Sequence, residues 1–238
     1  MDNQPYKSRW IYGWLLIPVA SAILALVTHE FGFKAGVAGS GIIIILFLFF
    51  GRLKRTMDVW LIIGAFIFSI GGDWCLSNRN GDEWMFITGI LLFFIAHVGY
   101  LYFGLLNGQI NWRLTIILLA AYLTFFILKL YPAIDNRILC LASLAYLLIS
   151  CVSLGASAGI FGIQWFRWFY FTGISLVLFS DTVIAFKEFL AIHAVDFLIL
   201  PTYYLAQICI TIALIRKGLE NDSEIVKSIC KSIIAFNE

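Results

Sequence analysis

Residues 71–104 read GGDWCLSNRNGDEWMFITGILLFFIAHVGYLYFG, and this stretch decides what kind of protein the chain is. Gly71-Gly72-Asp73 nears the end of one apolar segment, a polar turn at Ser77, Asn78 and Gly81 follows, and a second apolar segment carries His97 and Tyr100. Gly89, Phe93, His97, Tyr100 and Gly104 recur at steps of four, four, three and four, which sets all five on one helical face. An ionisable side chain inside a membrane helix is costly unless it faces protein or water, so Asp73 and His97 are functional candidates by default. The idea returns late in the chain, at Ser180-Asp181 followed by Tyr203, Tyr204 and Gln207.

The rest of the composition supports a membrane reading. The 238 residues are 62% hydrophobic and only 13% charged, with a mean hydropathy of +0.95. Soluble domains carry about 25% charged residues. Eight segments are long and apolar enough to span: about Trp10–Thr28 with Pro18 as a kink, Ala35–Phe50, Asp58–Leu76, Trp84–Leu106, Trp112–Leu130 ending before Pro132, Arg137–Leu154, Trp168–Phe186, and Ala194–Ile215 with Pro201 inside. The expected fold is all-α, a polytopic bundle of eight transmembrane helices joined by short loops. Residues 1–217 form that single domain. Residues 218–238 form a short amphipathic tail, capped at Asn221 with Glu224 three residues on, and apolar at Ile225, Ile229 and Ile233. Trp10, Trp14, Trp84, Trp112, Trp165 and Trp168 fall near span ends, as an interfacial belt requires. The apolar run that opens the chain continues through Val27, so it reads as the first span and not as a cleaved signal.

Lys and Arg divide eleven to five between the two sets of loops. The positive-inside rule then puts both termini in the cytoplasm, with Arg52-Leu53-Lys54-Arg55 as the densest marker. The minority set is Lys34, Arg79, Lys129, Arg137 and Lys187. With a net charge of +2 and the cations used for topology, nucleic acid is not an expected partner. The bilayer is, and short loops on a minimal chain suit a bacterial inner membrane. The five cysteines are odd in number, have no CxxC spacing and read as small apolar residues.

Each polar candidate carries a structural alternative. Asp73 would cap its helix before the Ser77–Gly81 turn; Asp181 would be a buried hydrogen bond or ion pair, with Lys187 as partner; His97, Tyr203, Tyr204 and Gln207 would bridge helices. Asp at mid-span costs about 2.5–3.5 kcal/mol on insertion scales, so two such residues call for an explanation. Metal chemistry reads poorly: His29, His97 and His193 show no HxxxH or HExxH spacing, and no GxSxG elbow is present. A faint echo links Phe68-Ser69-Ile70-Gly71-Gly72-Asp73 to Phe179-Ser180-Asp181, as a parallel four-plus-four duplication would produce.

Taken in order, Gly72-Asp73, Phe86-x-x-Gly89, His97-x-x-Tyr100, Ser180-Asp181, Tyr203/Tyr204 and Gln207 resemble the YhhN-like family of multi-pass membrane proteins. One motif departs: the family often carries Lys-Pro near the start of the second span, whereas this chain reads Phe33-Lys34-Ala35-Gly36, leaving Lys34 as the nearest substitute for a phosphate-holding lysine. The resemblance implies a lysoplasmalogenase, a hydrolase of lipid metabolism that cleaves the vinyl ether of a lysophospholipid to a fatty aldehyde and a glycerophospho-headgroup. Vinyl ethers yield to acid, so the implied chemistry needs one protonated carboxyl and one carboxylate. Two carboxyls in a dry site supply that pair, because like charges held close do not both ionise. Asp73 and Asp181 are the implied catalytic pair. His97, Tyr100, Tyr203, Tyr204, Gln207 and Lys34 would bind or orient the substrate, and no cofactor is implied. The rival readings are a lipid or small-solute transporter using the same acids, or a metal-dependent lipid amidase. If the hydrolase reading holds, the third, fourth, seventh and eighth spans must converge, and Asp73 and Asp181 must share a pocket.

Overall fold

The computed structural model describes residues 11–50 and 56–236, with side chains to residue 220. Eight helices among them are long and apolar enough to cross a membrane. Their main α-helical segments are α1 (Leu16–Thr28, within the span Ile11–Thr28), α2 (Phe31–Leu48), α3 (Met57–Ser77), α4 (Glu83–Leu106), α5 (Trp112–Phe125, within the span Trp112–Ala133), α6 (Arg137–Ala158), α7 (Gln164–Leu190) and α8 (Ile199–Phe236). The only extended pairing among the described residues is one isolated bridge, Gly108 to Ile160.

Local chemistry explains most of the boundaries. Asp82, Asn111 and Asn136 cap α4, α5 and α6 by accepting from Trp84, Leu114 and Ile138 N–H groups. Asn80 and Gly81 take left-handed φ of 43° and 84°, which reverses the chain between α3 and α4 in a few residues. Pro18 has no N–H to offer the Trp14 carbonyl, and the first span is broken there: residues 14 and 15 form a turn held by three-residue bonds such as Ile17 N–H to Trp14 C=O at 3.1 Å. Pro201 makes no kink, because it sits in the first turn of α8, where an N–H would have no helical partner.

Several expected boundaries differ. The fifth span does not end before Pro132: α5 passes into a π-turn, Phe126–Leu130, and then a 3-10 turn, Tyr131–Ala133, that contains the proline. The seventh span is longer than expected at Gln164–Leu190, so Asp181 lies more than two turns inside its end. The last helix runs unbroken to Phe236, so Asn221 caps nothing; the span continues directly into the tail, because no residue between them breaks the backbone hydrogen bonding. The tail's apolar face, the first ten residues and the Arg52–Arg55 run lie outside the described residues.

The Arg216 guanidinium stacks over the rings of Tyr12, at 5.2 Å, and Trp165, at 5.9 Å. The start of the first span and the end of the eighth crossing therefore share one end of the bundle, the terminal end. Lys217 bonds Asp58 and Asn107 at that same end and ties α8 to α3 and α4. The far, distal end carries the α1–α2, α3–α4, α5–α6 and α7–α8 connections.

Six helices form a ring. α2 packs on α3, α3 on α4, α4 on α6, α6 on α7, α7 on α8, and α8 returns to α2. α1 lies outside against α2, and α5 outside against α6. Adding four to each helix number maps these eight pairings onto themselves, as a parallel four-plus-four repeat would, although α1 also packs on α8 with no matching contact of α5 on α4 of that size. Two small-residue crossings follow the same rule. A Cβ on Gly99 would sit 2.8 Å from the Leu61 carbonyl and 3.1 Å from Ala65 Cβ; a Cβ on Gly173 would sit 2.6 Å from Ile210 and 3.1 Å from the Ala206 carbonyl. Ala65 and Gly173 stand at the same interval, 108 residues, as Asp73 and Asp181. Without a hydrophobic drive between helices in lipid, such close backbone approach is what holds α3 to α4 and α7 to α8.

Candidate functional site

The two aspartates line one cleft. It opens at the distal end, has a volume of about 1000 Å³ including its mouth, and is bounded by α2, α3, α4, α7 and α8. Asp73 lies one turn inside the end of α3. It does not cap that helix; it accepts a hydrogen bond from Tyr203 on α8 at 3.2 Å. Asp181 does not pair with Lys187. Its Oδ2 accepts from the Tyr146 hydroxyl on α6 at 2.6 Å, and His97 Nε2 on α4 stands 3.5 Å away. Three helices thus deliver polar atoms to the two carboxylates: α8 to Asp73, α6 and α4 to Asp181. The α3, α4, α7 and α8 spans converge, as the sequence argument required.

His97 is 1% exposed, and its Nε2 lies 3.1 Å from the Tyr146 oxygen. Since Tyr146 donates its proton to Asp181, its oxygen accepts from His97, which fixes the imidazole as the Nε2–H tautomer. Nδ1 is buried and has no hydrogen-bond partner among the described residues. The chain of donors runs one way, from His97 to Tyr146 to Asp181.

Three of the five cations that sequence reasoning placed on the minority side face this cleft: Lys34, Arg79 and Lys187. Lys34 Nζ donates to Ser77 Oγ at 3.1 Å, and Arg79 is paired with Glu188 at 2.7 Å while its guanidinium lies 4.9 Å from the centre of the Phe86 ring. The mouth therefore mixes both signs: Glu188, which pairs with Arg79, and Asp196 share it with the three cations.

At Asp181 the cleft meets an apolar slot of about 730 Å³ including its mouth, enclosed by α4, α5, α6 and α7. Asp181 is the only charged residue on the slot wall. Leu76, Phe86, Phe93 and Ile184 line both spaces, so the two are continuous along one side of that carboxylate. The inner end of the slot is set by Phe93, Tyr122, Ser150 and Leu178, the deepest residue that each of the four helices contributes. There Tyr122 on α5 is hydrogen-bonded to Thr182 on α7 at 2.8 Å.

The remaining residues singled out from sequence sit behind the cleft. Tyr100 is buried; its ring meets His97 edge-on at 5.7 Å and its carbonyl accepts from Tyr170 at 2.8 Å. The Tyr204 hydroxyl and both amide atoms of Gln207 are buried with no hydrogen-bond partner among the described residues, and neither residue lines the cleft. Among the described residues no group of three or more His, Cys, Asp or Glu side chains is placed to hold a metal ion. Tyr146 escaped sequence reasoning altogether. Its signal was present: Ser143, Tyr146 and Ser150 recur at steps of three and four on an otherwise apolar helix.

No curated protein sequence and no solved structure matches the chain. Residues 33–214, which take in both aspartates and at least part of every helix of the ring, match the YhhN family, and the chain belongs to that family, whose members include lysoplasmalogenases.

Proposed function

We propose that this protein is a membrane lysolipid hydrolase that cleaves the vinyl ether bond of lysoplasmalogens. The observation that carries the reading is the meeting of the polar, cation-bearing cleft and the apolar slot at Asp181. An amphiphile fits such a pair of spaces in one sense, with its phosphate among Lys34, Arg79 and Lys187, its chain in the slot, and its polar–apolar junction at the carboxylates. In a lysoplasmalogen that junction is the vinyl ether.

The hydrogen bonds distinguish the carboxyls. Asp181, which accepts a short bond from Tyr146 and faces His97, is assigned the carboxylate role; Asp73, which accepts one longer bond from Tyr203, is assigned the acid role. Asp73 then delivers a proton to the β-carbon of the enol ether. The C=C pair forms the new C–H bond, and positive charge develops on the ether carbon as an oxocarbenium ion, stabilised by the Asp181 carboxylate. Water adds to that carbon and gives its proton to Asp181. The hemiacetal collapses as Asp181 returns the proton to the glycerol oxygen and Asp73 takes the hemiacetal proton, releasing the aldehyde and restoring both groups. The division of labour is that of a glycosidase carboxyl pair.

The test is mass spectrometry of a lysolipid mixture, vinyl-ether species included, incubated with the purified protein, Asp73→Asn and Asp181→Asn. Wild type should release aldehyde, and each variant should lose about 10²–10⁴-fold. No aldehyde from wild type, or full activity in both variants, overturns the reading. The parallel repeat favours a second reading, a transporter with its site at the repeat interface. That reading requires that the bound lipid cross the membrane chemically intact.

A further inference from the structure

We infer that Ser143 holds the hydrolytic water. This rests on the hydrolase reading above. Ser143 lies on α6, 8% exposed, with its side chain on the wall of the slot that Asp181 also lines. Its hydroxyl is buried and finds no hydrogen-bond partner among the described residues. Other hydroxyls around it are committed. Ser150 donates to the Tyr146 carbonyl, Tyr146 donates to Asp181, and Thr182 shares its bond with Tyr122 while donating to the Leu178 carbonyl. A lone hydroxyl in an apolar wall is unfavourable, and a buried orphan of this kind calls for a bound water or a ligand.

The position matches what the reaction lacks. Ser143 is three residues from Tyr146 on the same helix, so the two side chains lie on one face about one turn apart. Tyr146 sits on Oδ2 of Asp181, which leaves the other carboxylate oxygen to receive a proton. A water in the slot between Ser143 and Asp181 has an acceptor in each, and it lies beside the first carbon of the chain, where the oxocarbenium forms. In the water-addition step one O–H bond of this water breaks, its proton goes to Asp181, and its oxygen pair forms the new C–O bond. Ser143 does not touch the breaking ether; it is a positioning residue that acts through the water.

The test is nucleophile partition. Wild type, Ser143→Ala and Ser143→Thr are incubated with a lysoplasmalogen in buffer containing methanol. Free aldehyde and the mixed methyl acetal are then quantified by mass spectrometry, alongside kcat and KM. With Ser143→Ala the methyl acetal should rise severalfold relative to aldehyde, and kcat should fall about three- to tenfold with KM unchanged. Ser143→Thr, which keeps the hydroxyl, should restore the wild-type ratio. A partition ratio identical in wild type and Ser143→Ala overturns the inference while leaving the hydrolase reading intact. A fall in kcat with no change in partition does the same, since it marks a merely structural role. No aldehyde from wild type overturns both. Should Ser143→Ala fail to fold, Ser143→Cys, close in size and a weak donor, takes its place with the same expected shift.

Discussion

Removing one oxygen atom from Tyr146 is the sharpest perturbation available. The Tyr146 hydroxyl donates to Asp181 at 2.6 Å and accepts from His97 at 3.1 Å. Tyr146→Phe leaves the ring and its edge-on contact with His97, at 5.2 Å, in place. What disappears is one short hydrogen bond to a carboxyl oxygen, worth about 1.5–3 kcal/mol, together with the hydrogen-bonded link from His97 to that oxygen, leaving only the direct 3.5 Å approach of Nε2. If the bond serves the oxocarbenium step, that energy corresponds to a drop in kcat of about 10–150-fold. KM should change little, because Tyr146 faces the reacting junction and not the cation-bearing mouth. The assay is aldehyde release by purified protein, with thermal unfolding run beside it; unfolding should report a loss of about 1–3 kcal/mol from the newly unpaired His97 and Asp181. His97→Gln alone should lower kcat less than Tyr146→Phe, and the double variant should be no worse than Tyr146→Phe, since His97 reaches Asp181 through Tyr146. Activity within twofold of wild type in Tyr146→Phe, or full additivity with His97→Gln, would refute the one-way donor chain.

Three more outcomes are expected. Lys217→Ala leaves Asp58 unpaired at a site where both side chains are 14% exposed, so unfolding should show a loss of about 3–5 kcal/mol, with Asp58→Asn/Lys217→Met recovering part of it. Gly99→Ala meets a backbone carbonyl at 2.8 Å that cannot rotate away and should cost about 1–3 kcal/mol, whereas Gly64→Ala meets nothing within 4 Å and should be neutral or slightly stabilising; thermal melts of the two side by side decide it. Lys34→Ala should raise KM for a phosphate-bearing lysolipid about fivefold with kcat held, read from initial rates, because it removes one charged contact of the cleft and nothing at the carboxylates.

Which quantities were local explains what could be read in advance. Whether a segment spans a bilayer depends on about 20 consecutive side chains and nothing else, so all eight spans were legible to within a few residues. The same holds for Asp73, His97 and Asp181, because an ionisable residue in such a run is conspicuous from its neighbours alone. Boundaries set by backbone geometry were less legible. The π-turn after Phe125 carries Pro132 into a helical turn, and α8 passes through Asn221, a residue that reads as a cap only if the helix stops there.

The sequence by itself therefore determined the architecture class, the family-bearing motifs and two of the acids. The tertiary structure alone decided what those acids meet. Tyr146 became visible when α6 was placed beside α7, and the cations Arg79 and Lys187 became cleft residues when the turn after α3 met the end of α7, where Arg79 pairs with Glu188. The continuity of cleft and slot exists on no single helix, since Asp181 joins two spaces built by different neighbours. The physical reason is that a side chain's face along its own helix follows from 3.6-residue periodicity, whereas its partner follows from crossing angle and rotational phase. In a membrane, close contacts such as Gly99 against Leu61 and Gly173 against Ala206 set those, and they are properties of pairs of helices.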